Sequence, residues 1–171
     1  LMFSIIRYLF IIFFFSIFSF NTFAQEKIRY INLDMIIQKT NSGKLILQKL
    51  ENQKKENLKN FKIKEDQLIN EEKNIIAKKN ILSEDEFNSK LIDLNKNLKV
   101  YNEGKKNKIN EFENNKKNLI NDYFVKITPI IEEYVKKNSI DLVVNKNNVF
   151  MASKKLDITN DIIEIINEKI K

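Results

Sequence analysis

The sequence contains no cysteine, histidine or tryptophan, and it has only two glycines and one proline among its 171 residues. Zinc sites and most transition-metal sites are built from Cys or His, so the composition excludes metal centres of that kind. Nucleophilic catalysis by Ser–His or Cys–His pairs is excluded for the same reason. No glycine-rich phosphate-binding motif is present. The sequence therefore predicts a protein that is not an enzyme and has no catalytic, cofactor-binding or metal-binding residues.

The first 24 residues differ in character from the rest of the chain. Residues 2–7 form a short positive start, and residues 8–20 are a run of 13 almost wholly apolar residues. As a helix this run would rise only ~20 Å, well short of the ~30 Å hydrocarbon core of a membrane. Together with the small residues Thr22 and Ala24, it predicts a secretory signal peptide over residues 1–24, cleaved between Ala24 and Gln25. A retained anchor or a buried core helix is the alternative.

Short segments at the two ends of the remaining chain predict a small α+β body over residues 25–43 and 130–171. Three segments are rich in β-branched and aromatic residues, as strands are, and a fourth has isoleucines recurring on one helical face. A short helix is predicted before a break at residues 40–43, where Ser42 can cap the next helix. The predicted strands are 28–33, 140–145 and 149–152, the last two forming a β-hairpin, and the predicted closing helix is 160–170.

We expect this body to form by association of several chains. Its roughly 60 residues are marginal for one core without disulfides or metals, and a three-stranded sheet leaves two open edges. A monomer with a poorly stable body is the alternative, and the copy number does not follow from this reasoning. The residues predicted to build the shared body are Tyr30, Leu33, Leu142, Val144, Val149, Met151, Ile162 and Ile166.

The long middle of the chain, residues 44–129, predicts an antiparallel helical hairpin that projects from the body as an arm. Apolar residues recur every seven positions from Phe61 to Leu82, and Ser83 with Glu86 forms a capping box that starts the return helix. Steps of three and four then continue to Tyr134, and Pro129 is expected either to kink this helix or to restart it, with Thr128 as the cap and Pro129 at the first position of the new helix. The predicted seam between the helices consists of Phe61, Leu68, Ile75, Phe87, Leu91, Leu94, Leu98, Phe112 and Leu119.

Most of the excess positive charge lies on this hairpin. The chain has a net charge of +7, and residues 44–129 contain 19 Lys and Arg against 14 Asp and Glu. A basic surface suits nucleic acid, anionic lipid or acidic proteins, but predicted export disfavours nucleic acid and no nucleic-acid-binding motif is present, so no nucleic-acid partner is predicted. A solvated helix face that binds nothing is the alternative. Gly104, in the middle of the return helix, is a candidate pivot.

The order of these parts resembles the Skp/OmpH family of periplasmic chaperones. KIRYINLDMIIQKTNSGK (27–44) is similar to the opening strand and helix of that family, SIDLVVNKNNVFMAS (139–153) to its β-hairpin, and LDITNDIIEIINEKI (156–170) to its closing segment. The hairpin between them matches in length and character rather than by motif. The resemblance covers essentially the whole chain after residue 24.

The resemblance implies a homotrimer in which three helical arms enclose a cavity above a shared β-body. It also implies ATP-independent holding of unfolded outer-membrane proteins in the periplasm, which prevents their aggregation. Anionic lipid or lipopolysaccharide is an implied partner, although no residue-level motif for lipopolysaccharide can be matched here. A structural coiled-coil envelope protein, acting as a spacer or scaffold for a fixed partner, is the alternative function.

Overall fold

The computed structural model describes residues 26–170, most of which are helical. The predicted signal peptide and its cleavage between Ala24 and Gln25 lie outside the described residues. No helix within the described part is apolar enough over its length to cross a membrane. In chain order the elements are β1 (Ile28–Ile31), α1 (Leu33–Lys39), α2 (Asn41–Ala77), α3 (Glu84–Lys137), β2 (Leu142–Asn145) and α4 (Thr159–Lys169), with short 3-10 turns at Lys146–Asn148 and Lys154–Leu156.

The sheet has two strands, and they are parallel. β1 pairs with β2 from Ile28 opposite Leu142 to Ile31 opposite Asn145, and a single bridge joins Tyr30 to Asp157 on the other edge of β1. β1 ends at Ile31, two residues earlier than predicted, because Asn32 caps α1 through a hydrogen bond from the backbone N–H of Met35.

The predicted hairpin of strands 140–145 and 149–152 was wrong. The chain turns into a 3-10 helix at Lys146–Asn148, with the Asn145 side chain accepting from the backbone N–H of Asn147. Val149 is extended, at φ −111° and ψ 113°, but residues 149–152 pair with no strand in the described chain. Strand 142–145 pairs instead with β1, far away in sequence.

The main core lies where α1, α4 and the base of α3 meet. Ile36, Ile127, Ile162 and Ile166 are fully buried there. Leu33, Ile46, Leu47, Ile120 and Phe124 pack against the buried residues. The core therefore includes residues of α2 that follow residue 44 and residues of α3 that precede residue 129. The sequence had assigned these residues to the arm.

A buried corner joins α1 to α2. Thr40, not Ser42, caps α2 by accepting from the backbone N–H of Gly43, which corrects the sequence prediction. The Thr40 hydroxyl is also 2.6 Å from the Tyr123 hydroxyl, so it ties the corner to α3. The Ser42 hydroxyl is buried and has no hydrogen-bond partner among the described residues. Gly43 is required here because a Cβ would overlap the carbonyl group of Ile37.

The start of α3 was predicted correctly, whereas the predicted restart of the helix at Pro129 was wrong. The capping box is complete, since Ser83 accepts from the backbone N–H of Glu86 and Glu86 accepts from that of Ser83. α3 then runs unbroken through Pro129, and Thr128 does not cap a new helix. The Thr128 hydroxyl instead donates to the carbonyl oxygen of Phe124 at 2.7 Å. Pro129 is on the exposed face, where water can reach the carbonyl that its missing N–H leaves unpaired.

Candidate functional site

The candidate site is the part of α2 and α3 that extends beyond the main core, residues 51–119, which we call the arm. Polar contacts fix the register of the two helices. Asn97 donates to Glu71, Tyr101 to Glu65 and Asn115 to Gln53. As residue numbers increase along α3, the residues that they contact on α2 have decreasing numbers. The two numbers in each pair add up to about the same value, so one register holds along the arm.

Near the turn, the arm has an apolar core of its own. Leu68 and Ile75 of α2 are buried against Leu94 of α3. Phe87, Leu91 and Tyr101 pack around them and are partly buried. Six of the nine predicted seam residues thus fall in or around the interface near the turn or directly below it: Phe61, Leu68, Ile75, Phe87, Leu91 and Leu94.

The three remaining seam residues are placed differently. Leu98 is 37% exposed and lies on the rim of a groove rather than in the interface. Phe112 and Leu119 are partly buried nearer the main core. An apolar seam therefore does not run without interruption along the arm.

The interruption is a polar network in the middle of the arm. The Glu65 carboxylate accepts from the Tyr101 hydroxyl and from Lys105 Nζ, both at 2.6 Å. Lys105 also lies 5.5 Å from the centre of the Phe61 ring and 5.6 Å from that of Tyr101, within cation–π distance. Sequence reasoning missed Glu65. A signal was present, because Lys105 lies seven residues from both Leu98 and Phe112 and therefore falls on the apolar face of α3, where a charge needs a partner.

The network shifts the titration of its members in the directions that ion pairing requires. The pKa of Glu65 is lowered, chiefly by the hydrogen bond from Lys105 and then by that from Tyr101. The pKa of Lys105 is raised, chiefly by its hydrogen bond to Glu65. Burial is the main reason that the pKa of Tyr101 is raised. Both charges are thus favoured at neutral pH, and together they hold α2 to α3 where apolar contact is thin.

Nine large apolar side chains of the arm are exposed to solvent. Single exposed apolar residues are common on soluble proteins, but a dense set on one extended element marks an interaction surface. The exposed apolar residues of the arm are Leu58, Ile63, Ile69, Ile76, Ile81, Ile92, Leu98, Val100 and Ile109.

The residues predicted to form the shared body differ in how far they are buried within their own chain. Ile162 and Ile166 are fully buried within their own chain and cannot touch another subunit as the chain stands. Leu33 packs on the same core, and Tyr30, Val144 and Val149 are partly buried. Leu142 and Met151 are exposed, and sequence reasoning left out Val143, which packs on the core, and Phe150, which is fully exposed beside Met151.

Comparison with known proteins identifies relatives of this fold. Residues 27–166 match the family described as "Outer membrane protein (OmpH-like)". The crystal structure of a proposed outer membrane chaperone (OmpH-like) from Caulobacter crescentus CB15 is similar, with a TM-score of 0.77 and 16% sequence identity over 86% of this chain and 88% of that chain. At that identity the likeness concerns the fold alone. No curated protein matches the sequence.

Proposed function

The chain belongs to the OmpH-like outer membrane protein family, and we propose that it is a periplasmic holdase chaperone that binds unfolded outer-membrane proteins without ATP. The observation that carries this proposal is the set of large apolar side chains exposed along the arm. Weak apolar contacts at many points suit a non-native chain, which offers many apolar side chains and no fixed shape. Such contacts prevent aggregation while still allowing release, because no single contact is tight.

We propose further that three chains assemble through the sheet end of the molecule, with the antiparallel hairpins projecting around a cavity. Phe150 and Met151 are exposed, and residues 149–152 pair with no strand in the described chain. Leu142 and Ile28, which face each other across the sheet, are exposed as well. Association of chains would bury these four side chains. If residues 149–152 paired with the sheet of a neighbouring chain, they would also cover a sheet edge, which an exported protein must protect.

Substitution of Phe150 tests the proposed assembly. Phe150→Asp should leave the fold of one chain intact, because the side chain contacts nothing in it, and should yield monomers in analytical ultracentrifugation. Ile81→Asp, at the exposed turn of the arm, is the matched control and should remain assembled. Equal sedimentation of the two variants would contradict the proposed interface.

Suppression of aggregation tests the holding function. A urea-unfolded outer-membrane β-barrel protein is diluted into buffer with purified residues 25–171, and light scattering is followed without ATP. A holdase should suppress scattering in proportion to its concentration, and Phe150→Asp should lose much of this effect. A spacer or scaffold should give no protection at any ratio, and that result would refute the proposed function.

A further inference from the structure

The two flanks of the arm differ in polarity near its turn. Leu68 is buried and faces α3, so its chain neighbours Gln67 and Ile69 lie on opposite flanks of α2. On the flank of Ile69, a groove of about 210 Å³ is lined by Leu68, Ile69, Leu94, Leu98 and Tyr101, together with Glu65, Glu72 and Asn102. On the flank of Gln67, the groove is lined by Gln67, Asn70, Glu71, Asn74, Ile75, Lys78, Lys90 and Asp93.

The apolar flank continues in both directions along the arm. Leu58, Ile69 and Ile76 of α2 are separated by eleven and seven residues, close to whole numbers of helical turns, so they share one face. Leu91, Leu98 and Ile109 of α3 have the same spacing in reverse order. The register set by Tyr101 with Glu65 places Ile69 level with Leu98, Ile76 with Leu91 and Leu58 with Ile109. We call these six residues the apolar stripe.

Five of the six stripe residues are exposed, and Leu91 is half-buried. The three steps of the stripe are spaced by ~16 Å and ~10 Å along the arm, at a rise of about 1.5 Å per residue. Charged residues of the same face, Lys62, Glu65 and Glu72, lie between the steps. The stripe is therefore a row of separate apolar contacts rather than a continuous seam.

We infer that the apolar stripe is the surface that meets the client and that its occupant is an extended segment of a non-native protein. This inference rests on the proposed holdase function and assigns it to one flank of the arm. It also orients the arm, because the stripe then faces the cavity and the flank of Gln67 and Asn74 faces outward.

The dimensions of the stripe favour that occupant over a folded one. A standard interface with a folded partner uses roughly 20–30 residues a side, whereas the stripe offers six with charged residues between them. A second arm packed along it as a fixed helix would take these charges out of water, including those of the Glu65–Lys105 and Lys62–Asp66 ion pairs, and burial of charges is costly even when they are paired. The groove at Ile69 and Leu98 is also smaller than the roughly 300–1,000 Å³ of small-molecule pockets. An extended chain can place apolar side chains at the steps and leave the gaps solvated.

Site-specific crosslinking tests the inference, because the chain has no cysteine and each introduced thiol is unique. Ile69→Cys carries the probe on the stripe. Ile63→Cys is the matched control, since both isoleucines are 47% exposed on α2 and Ile63 is turned about 120° around the helix, onto the flank of Gln67. Leu98→Cys and Val100→Cys repeat the comparison on α3. Each variant is labelled with a benzophenone maleimide, mixed with a urea-unfolded outer-membrane β-barrel protein and illuminated.

The stripe probes should give several-fold more adduct with the client than the control probes. Equal adducts on both flanks, an excess at Ile63→Cys, adducts to another arm instead of the client, or no adduct with a client that is held would each overturn the inference. Failure of the unmodified protein to suppress aggregation of the same client would instead refute the proposed function, so the two failures are distinguishable.

Discussion

Replacing each of the two glycines by alanine should change stability in opposite directions. Gly43 lies in the first turn of α2, where a Cβ would come within 2.7 Å of both the carbonyl carbon of Ile37 and the hydroxyl of Thr40, and closer still to the carbonyl oxygen of Ile37. Gly104 lies in the middle of α3, where a Cβ would meet no atom within 4 Å. The added methyl group would therefore overlap the backbone of Ile37 at Gly43, whereas at Gly104 it would enter open space.

The expected magnitudes follow from these surroundings. Overpacking costs about 1–3 kcal/mol, and loss of the Thr40 cap costs ~0.5–2 kcal/mol, so Gly43→Ala should destabilise the protein by about 1.5–5 kcal/mol. Gly104→Ala should stabilise helix α3 by about 1 kcal/mol, the usual difference between glycine and alanine in a helix interior. With roughly 2–4 °C of melting temperature per kcal/mol in a chain of this size, the two variants should melt on opposite sides of the wild type.

Thermal melting followed by circular dichroism at the helical band measures both effects. An unchanged or raised melting temperature for Gly43→Ala would refute the account of the corner between α1 and α2. A lowered melting temperature for Gly104→Ala would show that the structure requires glycine at this position although there is room for a side chain. If Gly104→Ala also left the range of clients unchanged, the hypothesis that Gly104 is a pivot would be wrong.

Three further substitutions test the core, the turn of the arm and its polar network. Ile162→Ala should lower the free energy of unfolding by about 2–5 kcal/mol because the side chain is fully buried, and an unchanged urea midpoint would contradict this. Ser83→Ala should cost about 1 kcal/mol and speed amide exchange in the first turn of α3 only, whereas equal exchange would argue against the cap. Glu65→Gln should lower the melting temperature at neutral pH but not in acid. The lowered pKa of Glu65 makes its contribution complete above the ordinary value of 4.5, and the contribution is lost as pH falls through the lowered one. A difference from wild type that persists unchanged in strong acid would exclude this role.

Local patterns in the sequence predicted the start of α3 and the closing helix well. The capping box of Ser83 and Glu86 and the recurring apolar residues that follow were sufficient to place α3, because both signals act within a few residues. The closing helix was placed within one residue at each end for the same reason.

Features that depend on distant residues were missed. β2 pairs with β1 across more than one hundred residues, and nothing in residues 142–145 indicates that partner. Pro129 remains inside α3 because it lies on an exposed face, which sequence spacing did not reveal. Thr40, which caps α2, also contacts Tyr123 of α3, a residue far away in sequence. The two flanks of the arm could be distinguished only after the polar contacts had set the register of α2 against α3.

The most direct test of the account is native mass spectrometry of residues 25–171 mixed with an unfolded outer-membrane β-barrel protein. The account predicts one dominant complex whose mass equals three chains plus one client. A spectrum of single chains, with the client free or aggregated, would contradict both the assembly of three chains through the sheet end and the holding of clients between their arms.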